Sequence, residues 1–129
     1  MVSYERLSST ILACHYVIQN DIPGDFVECG VWRGGNALAA ASIFQRCCSD
    51  RKVWLFDTFQ GMTFPTEHDV QISDGKLAGP QHRASQKMDH NDWAYAKLDD
   101  VKQHLLKVMW VKLFVMRIRY SRIRLQYFG

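Results

Sequence analysis

The 129-residue chain lacks any apolar stretch long enough to cross a bilayer. Its longest nearly apolar run, Val108–Met116, is interrupted by Lys112 and falls far short of the ~20 residues that a spanning helix needs. The opening residues, Met-Val-Ser-Tyr-Glu-Arg, hold no basic segment followed by a continuous apolar one, so no secretory signal is read there. The four cysteines, Cys14, Cys29, Cys47 and Cys48, form no C-x-x-C pair, which argues against a zinc site and a disulfide framework. Together these absences make a reducing cytoplasm the expected compartment. Acidic residues are missing from one end. Residues 1–106 carry ten Lys and Arg against thirteen Asp and Glu, whereas 107–129 carry six basic residues and no acid. The last segment is therefore a different kind of sequence from the rest.

What is present describes one globular domain. Hydrophobic residues make up 47% of the chain and charged residues 22%, a balance that disfavours disorder. A chain of this length can bury roughly two-thirds of its unfolded surface. Leu7, Ile11, Cys14 or His15, and Ile18 recur at helical spacing within 4–20, and Ile22-Pro23-Gly24-Asp25 stops that helix. Phe26–Cys29 reads as a buried strand and Gly30–Gly35 as a glycine-containing loop. Asn36–Cys47 is an alanine-rich helix, and Lys52–Asp57 a second buried strand ending in an acid. Strand, loop, helix and strand make a βαβ unit with parallel strands, hence an α/β fold. Residues 60–92 are polar and read as a long loop or lid. Helical spacing returns over Trp93–Val108. Beyond Met109 the pattern fits a strand and a helical face equally well.

The chemistry concentrates in Glu28-Cys29-Gly30-Val31-Trp32-Arg33-Gly34-Gly35. Gly30 permits a sharp turn off the strand, and Gly34 and Gly35 permit close approach of a ligand or another backbone to the helix start. Asp57 closes the next strand, where it neighbours the loop and could accept hydrogen bonds from the two hydroxyls of a ribose. Neither G-x-x-x-x-G-K-[ST] nor G-x-G-x-x-G is present. Glu28 would repel a pyrophosphate and suit an amino group. The two acids therefore favour a nucleoside with a cationic amino-acid end, such as S-adenosylmethionine. An ordinary βα turn flanked by surface acids fits the same spacing.

Two long words carry a resemblance. Ile22–Gly35 (IPGDFVECGVWRGG) and Leu55–Met62 (LFDTFQGM) resemble the TylF/macrocin O-methyltransferase family, with further likeness at Pro65–Val70 and Trp93–Tyr95. The resemblance runs from about Tyr4 to Leu106. It implies a Rossmann-like class I methyltransferase fold with an N-terminal helix, using S-adenosylmethionine and commonly magnesium. It implies a hydroxyl of a sugar or other small molecule as acceptor. By position, Glu28, Cys29, Gly30, Val31, Trp32, Arg33, Gly34 and Gly35 would hold the methionine part of the cofactor. Asp57, Thr58 and Phe59 would hold the adenosine.

The resemblance implies longer family members, whose metal-binding aspartates and general base lie in a region expected to have no counterpart here. The sequence divides into a cofactor-binding part at 1–108 and a basic tail at 109–129, expected to be a truncated or frame-shifted continuation with an incomplete parallel sheet. No catalytic or metal-binding residue is assigned. A remnant that binds only cofactor or a partner is the second reading, and self-association into an oligomer is compatible with either. A nucleic-acid- or membrane-associating module built on Arg117, Arg119, Arg122 and Arg124 is the third, and the weakest. His68-Asp69 and Asp89-His90-Asn91-Asp92 match no metal motif and are expected to be solvated. Cys29 is expected to be a small buried thiol. Asp99 and Asp100 are expected to complement a helix dipole. Arg33 could contact a carboxylate or form a surface pair.

Overall fold

The computed structural model describes residues 2–106, 113–119 and 122–128, with side chains in the last two stretches described only at Phe114, Val115 and Met116. Helix α1 (Tyr4–Gln19) starts where the Ser3 hydroxyl accepts a hydrogen bond from Arg6 N. It ends before Asp21, which adopts a left-handed backbone, and Pro23-Gly24. Its stripe packs on α2 (Gly35–Arg46), with Cys14 only 3% exposed and Ile18 against the core. Burial pushes the Cys14 thiol pKa up. Four free cysteines remain, of which Cys29, Cys47 and Cys48 are exposed. The buried thiol expected at Cys29 is thus corrected: in the alternating strand β1 (Phe26–Cys29), Val27 and Cys29 point away from the helices.

The sheet has the order β1-β2-β3-β4, where β2 is Val53–Asp57, β3 is Leu113–Arg119 and β4 is Arg122–Phe128. The first three strands are parallel, and β4 returns antiparallel to β3. The βαβ reading is borne out, and the ambiguous tail is strand rather than helix over 113–119 and 122–128. An amphipathic helix lying on a membrane is therefore not what these residues form. Among the described residues no helix is long and apolar enough to cross a membrane.

Small side chains let α2 lie close to the sheet. Ala37, Ala40 and Ala41 are fully buried against a core that includes Phe44, Val53, Leu55 and Val115. The Arg51 guanidinium donates to Ile22 O and Gly24 O, tying the α1–β1 turn to the start of β2. Asp25 accepts from Trp54 Nε1 at 2.8 Å and Lys52 N at 3.0 Å, and these bonds hold its carboxyl below the usual range.

The 60–92 excursion is more ordered than its composition indicates. It contains helix α3 (Ala78–Ala84) and isolated bridges Val70–Leu77 and Gln86–Asn91. Asn91 N donates to Gln60 O at 2.8 Å and Met62 N to Trp93 O at 2.9 Å, which closes the base of the loop. This closure uses the backbone of Trp93, and Ala94 turns left-handed. Helix α4 consequently begins at Leu98 rather than Trp93 and runs to Leu106. Asp99 and Asp100 sit in its first turn, where carboxylates complement the dipole.

Candidate functional site

Parallel pairing sets Cys29 beside Phe56, so the glycine loop and the β2 end are neighbours. The loop needs three left-handed positions in close succession: Gly30 (φ +83°), Trp32 (φ +47°) and Gly34 (φ +76°). A non-glycine residue there is strained, and surrounding contacts must hold it. Trp32 is held by its indole N–H donating to Tyr95 O at 3.2 Å, while the Arg33 guanidinium lies 5.1 Å over its ring. Arg33 thus meets an aromatic face.

Asp57 fixes the loop from the other side. Its Oδ2 accepts from Val31 N at 2.6 Å and Trp32 N at 3.0 Å, and its Oδ1 from Phe59 N at 2.8 Å. Three backbone N–H groups from two turns therefore converge on one carboxylate, a strong charge-assisted arrangement. The Thr58 hydroxyl donates to Gly61 O at 3.1 Å, and Phe59 is buried with φ +53°. Asp57 lies at the expected strand end, but its oxygens face the loop's own amides.

The two glycines before α2 differ from Gly30. A Cβ on Gly34 would meet Val101 Cγ1 at 3.3 Å, and one on Gly35 would meet Val2 Cγ2 at 2.5 Å. The close approach anticipated at these positions is made by the chain's own side chains. At Gly30 nothing lies within 4 Å of the Cβ position, so this turn opens onto free space.

Glu28 reaches the first turn of α2, where its carboxylate accepts from the Asn36 side chain and Ala37 N. A carboxylate already occupies the place where a helix N-terminus would take an anion. Burial raises the Glu28 pKa above the ordinary carboxylate value, opposed by those two hydrogen bonds, while the nearby Asp57 charge raises it further. Glu28 Oε2 and Asn36 Oδ1 are both buried with no hydrogen-bond partner. Two acceptors in want of donors, beside an open glycine turn, suit a ligand rich in N–H groups or bearing positive charge. Asn36 was legible only as a residue at a helix start.

Of the polar residues expected to be solvated, His68, Asp69, Asp89 and Asp92 are exposed, whereas His90 is half-buried and Asn91 is drawn inside. Asn91 is 2% exposed, donates to His82 O at 2.7 Å, and accepts from Trp93 N at 3.0 Å. His90 bridges Asp89 Oδ1 at 2.7 Å and Asp92 Oδ1 at 2.9 Å and stacks on Tyr95. These carboxylates raise the His90 pKa, led by the bond to Asp89. Among the described residues no three His, Cys, Asp or Glu side chains converge as metal ligands.

With this geometry in place, the comparisons are specific. The chain is 39% identical over 79 residues to demethyldecarbamoylnovobiocin O-methyltransferase of Streptomyces niveus, covering 60% of this chain and 30% of that protein. It is 39% identical over 64 residues to 8-demethyl-8-(2,3-dimethoxy-alpha-L-rhamnosyl)-tetracenomycin-C 4'-O-methyltransferase of Streptomyces olivaceus, covering 48% and 24%. It is 36% identical over 70 residues to mycinamicin III 3''-O-methyltransferase of Micromonospora griseorubida, covering 54% and 28%. The solved structure of the O-methyltransferase NovP superposes with a TM-score of 0.66 at 25% identity, over 88% of this chain and 45% of that one. The chain therefore spans between about a quarter and a third of the length of these curated relatives. The macrocin-O-methyltransferase (TylF) profile matches residues 1–116, continuing past Leu106 into β3. Over nine-tenths of its length, glycine loop and Asp57 turn included, the chain belongs to the TylF macrocin-O-methyltransferase family.

Proposed function

We propose that this chain is the cofactor-binding part of an S-adenosylmethionine-dependent O-methyltransferase acting on a hydroxyl of a sugar-bearing small molecule. Family membership supports the reaction class. The observation that carries the cofactor reading is the pair of buried, unpartnered acceptors, Glu28 Oε2 and Asn36 Oδ1, beside the open turn at Gly30. An α-ammonium group would supply the donors that these atoms lack. S-adenosylmethionine, when bound, supplies an activated methyl group and carries no phosphate to clash with Glu28.

In this reading the Glu28–Gly35 loop, including Cys29, Val31, Trp32 and Arg33, borders the methionine end. Asp57, Thr58 and Phe59 border the adenosine, with Asp57 acting through the loop amides it holds. The loop's contribution to transfer is positional: a fixed amino-acid end sets where the reacting carbon meets the acceptor oxygen. The acceptors named for the three relatives, a demethyldecarbamoylnovobiocin, a rhamnosyl-tetracenomycin and mycinamicin III, support a glycoside-like acceptor for this chain as well.

Calorimetric titration of the 129-residue chain with S-adenosylhomocysteine, with and without magnesium, tests the reading. Saturable binding that weakens in Glu28→Gln is expected. A folded chain with no affinity at millimolar ligand would refute it.

A further inference from the structure

The lid between Gln60 and Trp93 encloses space that the cofactor loop does not use. A cavity of about 860 Å³ lies between residues 62–65, the Val70–Leu77 bridge and the start of α3, with Trp93 at its base. Met62, Phe64, Val70 and Leu77 wall it, and they are 43%, 67%, 49% and 56% exposed. Water-facing apolar side chains gathered on one concavity mark a binding surface rather than incidental exposure.

The wall is held in shape. Buried His82 places its ring edge-on to Phe64 at 5.3 Å, and its Nε2 bonds Met62 O at 3.1 Å. Asn91 locks His82 from behind by donating to its carbonyl. Backbone bonds Gln71 N to Lys76 O and Ala78 N to Asp69 O keep Val70 opposite Leu77. The base is pinned at Gly61, where a Cβ would lie 1.8 Å from Asn91 O. These bonds stop the apolar side chains from collapsing on one another, and a preformed cavity of this size accommodates a drug-sized ligand.

The polar groups at the cavity say what it excludes. Asp69 is committed to Thr66 N and Oγ1, Gln71 to Ser73, and Lys76 to Asp74. With its charges already satisfied, the cavity favours an uncharged apolar body. It also lies at the end of the sheet that carries the glycine loop. Met62 follows Gly61, whose carbonyl holds Thr58, and two residues beyond Trp93 the Tyr95 carbonyl holds Trp32.

We propose that the lid cavity binds the uncharged, apolar ring system of the acceptor, leaving the hydroxyl-bearing sugar to extend toward the glycine loop. This rests on the acceptor reading above and adds to it a location and a ligand chemistry.

The test is saturation-transfer NMR on the full chain with 4-methylumbelliferyl β-D-glucopyranoside, an uncharged ring carrying a sugar, beside methyl β-D-glucopyranoside, the sugar alone. The expected result is saturation of the coumarin protons, little of the sugar protons, and no binding of the methyl glucoside. Leu77→Gln and Phe64→Ser should each weaken the probe at least tenfold without altering the circular dichroism spectrum. Val27→Glu, on β1 outside the cavity lining, should leave it unchanged. Equal binding by both lid variants, loss on Val27→Glu alone, or no binding at millimolar probe would overturn the proposal. Probe binding is read without cofactor. A chain that takes the probe but not S-adenosylhomocysteine would sink the methyltransferase reading and leave the cavity assignment standing, and the converse would do the reverse.

Discussion

Two carboxylates flank the glycine loop, Glu28 on β1 and Asp57 at the end of β2, and the structure separates what they do. Asp57 is an acceptor with its donors in place: Val31 N, Trp32 N and Phe59 N. Removing it in Asp57→Ala strands three backbone N–H groups and frees the strained Trp32 turn. The expected loss is about 2–3 kcal/mol of unfolding free energy, measured by urea denaturation, with faster amide exchange at Val31 and Trp32. Glu28 is the opposite case, an acceptor with an oxygen left over. Its folded pKa is raised above the unfolded value, so the neutral form stabilises the fold, and that contribution is lost as pH rises through the raised pKa. Glu28→Gln should therefore melt higher than the parent at pH 7, with the gap closing as pH falls toward the ordinary carboxylate value. The same variant should bind S-adenosylhomocysteine about tenfold more weakly, because a carbonyl replaces the charge facing the ammonium. A stability gain coupled to a binding loss distinguishes a ligand-facing acid from a structural one. Both acids were legible at the strand ends. That one faces inward to the loop was not, because the convergence of two turns is a tertiary fact.

At the scale of elements, local signals sufficed where the sequence is periodic and failed where long-range closure overrides it. The stripe of α1, the alanines of α2 and the two strands of the βαβ unit all appear within a residue or so of where pattern places them. Helix α3 was hidden because Gly79-Pro80 reads as a breaker. A proline in the first turn of a helix removes an N–H that has no intrahelical partner there, so it is tolerated. The expected start of α4 at Trp93 failed because the Trp93 carbonyl is bonded to Met62 N. That closure depends on Gly61, which combines φ +81° with backbone contact from Asn91. Gly61→Ala should cost about 1–2 kcal/mol from the left-handed backbone alone. The clash with Asn91 O adds to this, so limited proteolysis should cut within 62–90 faster than in the parent. The His90 bridge gives the lid a pH dependence. Because its folded pKa is raised, the ion pairs with Asp89 and Asp92 are fully formed below about 6.5 and are lost as pH climbs through the raised value. An NMR titration should place the His90 midpoint above the ordinary histidine value of about 6.5, and amide exchange in 86–92 should quicken over the same interval.

At the scale of the molecule, the layers are unequal. Helices cover one side of the parallel strands, burying Val53, Leu55 and Val115. On the other side, strand register lines up Val27, Trp54 and Phe114 in one row and Cys29, Phe56 and Met116 in the next. Trp54 stacks on Phe114 at 4.1 Å, and Val27 is 57% exposed. No described helix packs over these rows, although parallel sheets are normally covered on both faces. The apolar character of these strands was plain in the sequence. Which face would be covered was not, since the register of β3 against β2 joins residues about sixty apart. An apolar face left uncovered among the described residues, beside the edge strand β1, favours association with another apolar surface. The isolated 129-residue chain should therefore sediment as a concentration-dependent mixture of monomer and larger species at tens of micromolar. Val27→Glu places a charge at the β1 end of the exposed row without touching the glycine loop or the lid, and should move that mixture toward monomer. Sedimentation velocity over a tenfold concentration range measures both. A parent chain that stays monomeric throughout would mean that the side chains of these rows shield one another well enough to stand in water, with the Trp54–Phe114 stack as the first place to look for that shielding.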